Sequence, residues 1–493
     1  MALLNETEEI IKCFEKDEVY YDTNDSEISK FYAGKSVFVT GGTGFLGKLL
    51  VEKLLRACPD INSILMLVRA KKGKDSHTRM DEIFNDVVYE KLSKIQPKFR
   101  HKIVLVVGDV SLPGLGISIE DRRLITEKTV EPSTREMLNL AKECKNFESF
   151  VHVSTAFSHC PKNIIDEKLY DIPYDADRII QICNATPPEM LEKITQDLLG
   201  EWPNTYVFTK AIAEDIIRKS NLQLPICIVR PAIVIPTYKE PLRSWIDNVY
   251  GATGIAVGAG VGLIRVANID KNVKAEIVPA DYVINCIIGA SYKTTTERKG
   301  EIVVYNYVAS PENVITWSKY MHLCETYGVR TPTMRCLWIY TLVLIRNKFL
   351  YTLYAALFHM VPAFFMDLGL TIVGKKPQMI SVYRKIHTFA ETIAYFGNRS
   401  FDIKNKNTQS LYDGLSEADK KLFPFSMAKL NWLDYFKTHC LGFRIYLVKD
   451  DVSTIPQAQK RYFRLQLAHR ALKIVAFLII LRLVYGLISY LFL

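Results

Sequence analysis

The chain lacks regularly spaced cysteines. Its ten cysteines are scattered through 493 residues, and no two of them form a C-x-x-C pair. Disulfide frameworks and zinc sites both depend on close or regular cysteine spacing, so the sequence excludes these two classes of site. The nine histidines show no metal-ligand spacing either. We therefore expect no bound metal and a reducing compartment.

The first 30 residues lack an apolar core. They are polar and acid-rich, without the small-residue cleavage site of a secretory signal, so we expect residues 1–33 to form a flexible leader. The chain also lacks a basic stretch with interleaved aromatic residues, although its formal net charge is +10. We therefore expect no nucleic-acid partner, and phosphorylated ligands explain the charge most simply.

Long uninterrupted apolar runs are lacking until the C-terminus. Ile474 to Leu493 are nearly all apolar and long enough to cross a bilayer core of about 30 Å. Arg482 interrupts the run and would cost about 2.5–3.5 kcal/mol at the bilayer centre. A basic flank, which favours the cytosolic side, precedes the run: Lys460, Arg461, Arg464, Arg470 and Lys473. We predict a membrane anchor over residues 471–493, with a buried or surface-lying helix as the alternative.

The sequence does contain a glycine-rich turn between a strand and a helix. Ser36 to Thr40 form a β-branched run, and Lys48 to Leu55 have helical spacing. Glycines between them allow a tight turn and let backbone N–H groups approach a pyrophosphate at the positive end of the helix. The predicted cofactor-binding residues here are Gly41, Thr43, Gly44, Phe45, Leu46 and Gly47. The pattern predicts an α/β fold with a doubly wound, Rossmann-type parallel sheet; an ordinary turn is the alternative.

The end of the next strand bears on the choice of cofactor. The strand Ser63 to Val68 is followed by Arg69, Lys71 and Lys72, and no acidic residue occupies the position beside the adenosine ribose. Arginine at this position accommodates a 2′-phosphate, so we predict NADPH rather than NADH. A solvated basic loop is the alternative interpretation.

A third strand, Lys102 to Val107, leads to Asp109 and Val110. In a doubly wound sheet this strand end lies near the adenine, so we predict that both residues line the cofactor site. A plain strand-ending turn fits the same residues nearly as well.

Tyr206 and Lys210 stand four residues apart in a predicted helix, so they share one face. We expect the lysine charge to lower the pKa of the phenol and make it a proton donor near neutral pH. An exposed helix pair gives the same spacing by chance, but the glycine-rich turn upstream favours a nicotinamide-dependent oxidoreductase. The strand Phe147 to Ser154 adds two hydroxyls, Ser154 and Thr155, that could bind a substrate carbonyl opposite Tyr206 or simply form a turn.

These motifs resemble those of the alcohol-forming fatty acyl-CoA reductases, membrane-associated members of the extended short-chain dehydrogenase superfamily. The reductase part of the resemblance rests on residues 40–47, 152–157, 229–231, Trp245 with 251–260, and 278–281. Residues 374–377, 383–387 and 431–435 resemble the family's C-terminal domain. We therefore expect an NADP-binding reductase domain over 34–330 and an α-rich C-terminal domain over 331–450.

The resemblance implies reduction of a long-chain acyl-CoA by two hydride transfers from NADPH, through a bound aldehyde, to a fatty alcohol. Tyr206 would protonate the substrate oxygen, Lys210 would hold the nicotinamide ribose, and Ser154 or Thr155, with a slight preference for Thr155, would orient the carbonyl. The implied partners are a long-chain acyl-CoA and membrane lipid, with the catalytic domain facing the cytosol at the endoplasmic reticulum or the peroxisome.

Two other apolar stretches, Leu337 to Ile345 and Phe349 to Phe365, are interrupted by polar residues. The interruptions make them poor membrane spans. We interpret them as an acyl-chain tunnel or as a surface that rests on the bilayer, with a plain helical core as an equal alternative.

The sequence departs from the family between Asp109 and His152, which are separated by only 42 residues. The family has a further central strand in this interval, whereas only one helix, capped by Ser133 and Glu136, can be recognised here. We predict that a strand is lacking between residues 110 and 132, that the sheet either closes up or stays gapped, and that the chain is poorly active. A sterol or sugar-nucleotide dehydrogenase and a non-catalytic NADPH-binding relative remain as alternatives.

Overall fold

The computed structural model describes residues 2–16, 23–69, 73, 75–110, 112–128, 134–220, 224–297 and 300–492. Strands and helices alternate through the first two thirds of the chain, and helices dominate the last third. The described strands pair in parallel throughout, apart from two isolated antiparallel bridges.

The N-terminal residues form two helices, α1 (Ala2–Phe14) and α2 (Glu27–Tyr32). Ile10 of α1 is buried in a small apolar cluster with residues from the last part of the chain. Ser26, which caps α2, donates a hydrogen bond of 2.6 Å to Asp419. The described residues of the predicted leader are therefore helical, and the C-terminal part of the chain buries an apolar face of α1.

The first sheet contains three parallel strands in the order β1-β2-β3. Val39 lies opposite Met66, and Val68 lies opposite Val107, so the carboxyl ends of the strands are aligned. The strands and their connecting helices are β1 (Ser36–Val39), α3 (Phe45–Ala57), β2 (Ser63–Val68), α4 (Ser76–Phe84), α5 (Glu90–Ile95) and β3 (Ile103–Val107). Because β1 forms an edge, the glycine-rich turn that follows it lies at the border of this sheet.

The segment after β3 is helical where it is described. It holds a 3-10 turn (Pro113–Gly116), α6 (Ile119–Lys128) and α7 (Thr134–Glu143). The predicted cap Ser133 lies outside the described residues. The four positions of this segment with apolar helical spacing are buried or half-buried: Met137, Leu140, Ala141 and Cys144.

The second sheet also contains three parallel strands, in the order β10-β6-β4. Its first two strands, with the elements between them, are β4 (Phe150–Val153), β5 (Ile164–Ile165), α8 (Ala176–Ala185), α9 (Pro188–Leu199), α10 (Thr205–Lys219) and β6 (Ile226–Pro231). The chain then continues through β7 (Ile233–Ile235), α11 (Gly251–Gly260), β8 (Val266–Ala267), β9 (Ile277–Pro279), α12 (Ala280–Glu297) and β10 (Val303–Tyr307). β4 forms the edge of this sheet.

The two sheets are separate. In the part of the chain that the structure describes, β1 and β4 are edge strands that do not pair with each other. Helices join the sheets instead, because α7 contributes Leu140 to the apolar cluster of Phe38 and Met137 to the cluster of Phe150. α12 likewise packs against α3, β4 and β6. The two edge strands therefore stay apart, in agreement with a gapped sheet rather than a closed one; the lack of a strand between residues 110 and 132 stays a prediction.

The last third of the chain is mostly helical. Its elements are α13 (Trp317–Gly328), β11 (Val343–Leu344), α14 (Lys348–Ala355), α15 (Val361–Ile372), α16 (Met379–Gly397), β12 (Asp402–Ile403), α17 (Lys406–Asp413), α18 (Glu417–Leu422), α19 (Trp432–Gly442) and α20 (Ile455–Phe492). Short strand pairs β11-β8 and β12-β5 attach it to the rest of the molecule. The largest apolar cluster runs from Ile28 to Phe443, so the two predicted domains share one core.

Two described helical stretches, Lys348–Ile372 and Val452–Tyr490, are long and apolar enough to cross a membrane by length and composition. The apolar window of the second is entirely exposed, so the alternative of a buried C-terminal helix is wrong. The first stretch exposes most of its large side chains, which contradicts the alternative of a plain helical core. By contrast, residues 337–345 form loop structure and the short strand β11, not a helix.

Candidate active site

The glycine-rich turn has a backbone conformation and a close backbone contact that side chains at its glycine positions would prevent. Gly41 has φ +66°, a left-handed conformation that favours glycine, and it accepts a 2.9 Å hydrogen bond from the Gly44 N–H. A Cβ on Gly47 would lie 2.1 Å from the Gly41 carbonyl oxygen and 2.6 Å from the Gly42 Cα. The turn therefore folds directly against the first turn of α3, which only a glycine at position 47 permits.

The N-terminus of α3 is suited to an anion. Gly44 is its N-cap, and no side chain caps it among the described residues. The first N–H groups of a helix lack intrahelical partners and carry partial positive charge, so they can hold a phosphate. Thr43, Phe45 and Leu46 lie at this end of the helix, as the sequence predicts. These residues fit the pyrophosphate of a dinucleotide.

The predicted adenosine-side residues meet at the end of the first sheet. Arg69 follows β2, and its guanidinium lies 3.7 Å from the Asp109 carboxylate that follows β3. The Arg69 side chain is 59% exposed, which leaves it accessible to a ligand. Val110 is also exposed. The basic residues Lys71 and Lys72 lie outside the described residues, so Arg69 alone represents the predicted 2′-phosphate site here.

The segment that includes Trp245, one of the residues that carry the family resemblance, lies against α3. The Trp245 ring stacks on Phe45, with ring centroids 5.5 Å apart. Lys48 of α3 forms ion pairs of 3.1 Å with Asp247 and 2.8 Å with Asp86. The first turns of α3, which follow the glycine-rich turn, are therefore held by the loop that precedes α11.

The second group of predicted residues lies at the end of β4. The Lys210 ammonium donates a 2.8 Å hydrogen bond to the Val153 carbonyl, which ties α10 to this strand end. The Thr155 hydroxyl donates a 3.4 Å hydrogen bond to the Pro231 carbonyl and lies close enough to the Tyr206 hydroxyl to lower its pKa. Asn204 caps α10 by accepting a 3.1 Å hydrogen bond from the Val207 N–H, so the helix starts just before the tyrosine. Tyr206, Thr155 and Lys210 therefore converge.

The pKa of Tyr206 differs from the sequence expectation. The Tyr206 side chain is 58% exposed as a whole, but desolvation at its hydroxyl raises the pKa, and the neighbouring Thr155 hydroxyl lowers it by less. The expected lowering by Lys210 is wrong for this arrangement, because the ammonium is directed to the Val153 carbonyl. Burial also lowers the pKa of Lys210, while the Glu214 carboxylate opposes that shift.

Ser154 does not join Tyr206. Its hydroxyl donates a 2.5 Å hydrogen bond to Glu214, a carboxylate 2% exposed. Ser158 donates to the same carboxylate at 3.0 Å, and His159 and Arg230 lie within hydrogen-bond distance of it. Of the two candidate hydroxyls, the structure therefore brings only Thr155 to the tyrosine.

The Glu214 network is a feature that the sequence reasoning missed. Burial disfavours the carboxylate, but the fully buried Arg230 guanidinium and His159 hold the pKa of Glu214 far below its usual range. The sequence contains a signal for this network: Glu214 lies four residues after Lys210, just as Lys210 lies four residues after Tyr206. This spacing places all three residues on one face of the helix. Its function is to join α10 to the ends of β4 and β6.

Two family models, both described as male sterility protein, match the chain. The NAD-binding model matches residues 39–131 and 128–287, and the second model, named Sterile, matches residues 358–450. The NAD-binding match is therefore broken into two pieces within the interval that separates the two sheets. The first match identifies a domain for a nicotinamide cofactor.

Solved structures of similar fold include two reductase domains. One, from a nonribosomal peptide synthetase of Mycobacterium tuberculosis, has a TM-score of 0.54 at 14% identity and covers 89% of this chain and 95% of that domain. The other is the terminal reductase domain of the myxalamid pathway, with a TM-score of 0.51 at 18% identity, covering 90% and 98%. They confirm the predicted Rossmann-type α/β fold.

Curated relatives align over nearly the whole chain. Fatty acyl-CoA reductase wat of Drosophila melanogaster is 38% identical over 468 residues, covering 90% of both chains. Fatty acyl-CoA reductase 1 of Homo sapiens is 33% identical over 462 residues, covering 89% of this chain and 90% of the relative. Because these alignments include both the reductase part and the C-terminal part, the chain belongs to the fatty acyl-CoA reductase family.

Proposed function

We propose that the protein binds NADPH and belongs to the machinery that reduces a long-chain fatty acyl-CoA, through a bound aldehyde, to a fatty alcohol and free coenzyme A. The observation that carries the proposal is the convergence of Thr155, Tyr206 and Lys210 at the end of β4. Family membership supports the substrate class, since the curated relatives are named for fatty acyl-CoA reduction.

The cofactor site would be formed by the first sheet. Bound NADPH would supply hydride to the substrate carbonyl. The N–H groups at the start of α3 would hold the pyrophosphate, and the Gly41 to Gly47 geometry would let the backbone come close to it. Arg69 would pair with the 2′-phosphate in place of Asp109, while Asp109 and Val110 would border the adenine.

Residues beside the second sheet would donate the proton to the substrate. Thr155 would orient the carbonyl, and the Tyr206 phenol, kept protonated by its raised pKa, would donate a proton to the substrate oxygen. The hemithioacetal formed in this way would release coenzyme A as the thiol, which carries away the hydroxyl proton, and would leave the aldehyde in the site. A second hydride, from a second NADPH, and a proton from the reprotonated Tyr206 would complete the alcohol. Lys210, anchored on Val153, would hold the nicotinamide ribose.

Arg69 provides a direct test of the cofactor proposal. We expect Arg69→Ala to weaken NADPH binding about tenfold, equal to about 1.4 kcal/mol, and to leave NADH binding unchanged. Arg100→Ala removes another exposed arginine of this region, paired with Asp81 at 3.3 Å, and is the matched control. Equal losses for the two cofactors with Arg69→Ala would contradict the choice of NADPH.

A second candidate function is binding of NADPH without turnover. The observation that favours it is the separation of β1 from β4, which leaves the cofactor residues and the proton donor on different sheets. A misplacement of about 1 Å can cost about 100-fold in rate. We propose that the chain lacks one strand between residues 110 and 132 and that it is poorly active for this reason.

An acyl-CoA panel with NADPH distinguishes these functions. The chain should bind NADPH in a fluorescence titration, and its slow turnover should produce fatty alcohol only. A version carrying the corresponding segment of human fatty acyl-CoA reductase 1 should turn over faster, and Tyr206→Phe in that version should abolish the gain. NADPH binding without turnover in either version supports the non-catalytic relative, whereas fast turnover by the original chain contradicts a damaged site.

We further propose that α20 anchors the protein in a membrane, with the reductase domain on the cytosolic side of the endoplasmic reticulum or peroxisome. The exposed apolar window of α20 and the basic residues before it support this orientation. Alkaline extraction of cell membranes tests the anchor: the full chain should stay with the lipid, and a chain with several leucines of residues 474–490 changed to serine should be released.

A further inference from the structure

The helical stretch α14–α15 is apolar on the outside. α14 and α15 are joined through a π-helical turn, Ala356–Met360, into one stretch of 25 residues. Phe349 and Ile372 near its two ends are each 77% exposed. We define the outer face as eight of the twelve exposed large apolar residues of this stretch: Phe349, Leu353, Leu357, Val361, Phe364, Phe365, Leu368 and Ile372. Such a continuous exposed apolar surface marks a contact site.

The opposite side of the stretch carries small and polar residues. Ala355, His359, Ala363 and Asp367, spaced four apart, are buried against the body of the protein. His359 accepts a 2.9 Å hydrogen bond from the Arg265 N–H. Helices on the surface of soluble proteins place polar residues outward and apolar residues inward. This stretch has the reverse arrangement, which indicates an apolar environment outside it.

Asp367 fixes the orientation of the stretch. Its carboxylate accepts hydrogen bonds of 2.8, 2.8 and 3.0 Å from the N–H groups of Gln378, Met379 and Ile380, at the start of α16. Rotation of the helix to hide its apolar face would break these bonds and leave the carboxylate without its partners. The outward direction of the apolar residues is therefore built into the fold.

The charges around the outer face indicate what covers it. Residues 331–390 contain seven lysines and arginines and one acidic residue, the buried Asp367. The exposed basic residues near the stretch are Lys348, Lys375, Lys376, Arg384 and Lys385. Lysine is depleted in protein–protein interfaces, whereas basic residues around Phe and Leu side chains are typical of helices that lie on anionic membranes.

The stretch is also continuous with the base of α20. The Trp338 indole donates a 3.1 Å hydrogen bond to His469, and the Tyr340 N–H donates one of 3.1 Å to the Tyr462 hydroxyl. The same segment continues within a few residues into α14. The helix proposed as the membrane anchor is therefore attached to the segment that begins the exposed stretch.

We propose that the outer face lies in the headgroup–acyl boundary of an anionic phospholipid bilayer, as a second membrane contact beside α20. The stretch does not span the membrane, because His359 and Asp367 attach one side of it to the rest of the protein along its length. This contact does not depend on the reduction chemistry, and it would hold the C-terminal part of the protein flat against the membrane.

Quenching by brominated phospholipids tests the contact in the full chain. Phe365→Trp places a new fluorophore on the outer face, and Ile119→Trp places one at a 75% exposed site on α6 as the matched control. In vesicles of phosphatidylcholine and phosphatidylserine, bromination should reduce the added emission of Phe365→Trp about twofold, because an interfacial helix buries its apolar face about 5–10 Å into the boundary. The added emission of Ile119→Trp should not change.

Equal responses of the two tryptophans would overturn the proposal. So would a blue-shifted Phe365→Trp emission that is insensitive to bromination, because a second protein copy or another partner would then cover the face. Adding Lys375→Glu and Lys376→Glu to Phe365→Trp should lower its quenching in phosphatidylserine vesicles toward the value in pure phosphatidylcholine. Unchanged quenching in that variant, with unchanged thermal unfolding, would overturn the anionic lipid preference.

Discussion

The candidate sites at the two sheets are built in different ways. The first sheet prepares its site with backbone geometry: a left-handed Gly41, a Gly47 in contact with the turn, and a helix end without a side-chain cap. The second sheet prepares its site with buried side chains, centred on Glu214 and Arg230. The first site is open to a large charged ligand, and the second is closed around its own charges.

This difference follows from what each site has to do. In the proposed function a pyrophosphate would bring its own charge, and the N–H groups at the start of α3 would pair with it. The proposed proton donor, Tyr206, would have to keep one position through the reaction, and its helix is held by the buried network of Glu214 and Arg230. Substitutions that add atoms to the glycine-rich turn should therefore disturb the first site, and substitutions that remove a buried charge should disturb the second.

The largest expected effect is on the second sheet. Glu214→Gln would leave the Arg230 guanidinium buried without a charged partner, which typically costs about 3–5 kcal/mol in the free energy of unfolding. Urea denaturation measures the loss. Glu90→Gln, which breaks the exposed 2.9 Å pair of Glu90 with Lys94, is the control and should cost less than about 0.5 kcal/mol. Similar losses in both variants would contradict a special role for the buried network.

The same network predicts a pH dependence. The pKa of Glu214 is lower in the folded protein than its unfolded value of about 4.3, so below that pH the unfolded state binds the extra proton. The stabilisation from Glu214 is therefore complete above about pH 4.3 and declines as the pH falls. The difference in stability between the original chain and Glu214→Gln should shrink in urea titrations below that pH; a constant difference would argue against an ionised Glu214.

The next effect concerns the gap between the sheets. Inserting the segment of human fatty acyl-CoA reductase 1 between residues 110 and 132 should raise acyl-CoA reduction about 100-fold, because it would bring the cofactor turn and Tyr206 into one sheet. A scrambled segment of equal length is the control for added mass. If both insertions leave the rate unchanged, the gap does not limit activity.

A smaller effect is expected in the first sheet. Gly47→Ala places a methyl group 2.1 Å from the Gly41 oxygen, so the turn must move, at a cost of about 1–3 kcal/mol. Thermal unfolding and NADPH titration should both show the loss. Gly260→Ala, whose new methyl group would meet nothing within 4 Å, is the matched control and should retain NADPH affinity. Tight NADPH binding by Gly47→Ala would contradict the proposed pyrophosphate site.

The smallest expected effect distinguishes the two hydroxyls that directly follow β4, those of Ser154 and Thr155. In the strand-restored chain, Thr155→Val should reduce turnover about tenfold, because the loss of one hydrogen bond to the substrate costs about 1.4 kcal/mol. The same change should raise the pKa of Tyr206 further, because the Thr155 hydroxyl lowers that pKa. Ser154→Ala is the control: it should lower stability through Glu214 and change turnover less than twofold. The opposite order of turnover losses would make Ser154 the substrate-facing hydroxyl.

The sequence predicted much of this arrangement. The Gly41 turn, the first three strands and the Tyr206 helix depend on local signals, namely glycine spacing, β-branched runs and residues four apart. The packing of α1 could not be predicted from local signals, because its burial depends on residues more than 400 positions away, such as Leu441. The pKa of Tyr206 was also predicted wrongly, because spacing alone does not reveal that Lys210 bonds to Val153.

Local pattern alone predicted the glycine-rich turn between strand and helix, the Tyr206–Lys210 pair and the apolar C-terminal helix, since each depends on residues within one or two elements. Tertiary structure alone decided that Thr155 meets Tyr206 while Ser154 joins Glu214, that β1 and β4 stay apart, and that α14–α15 turns its apolar side outward. These outcomes depend on which buried polar group finds a partner, and such partners come from distant parts of the chain.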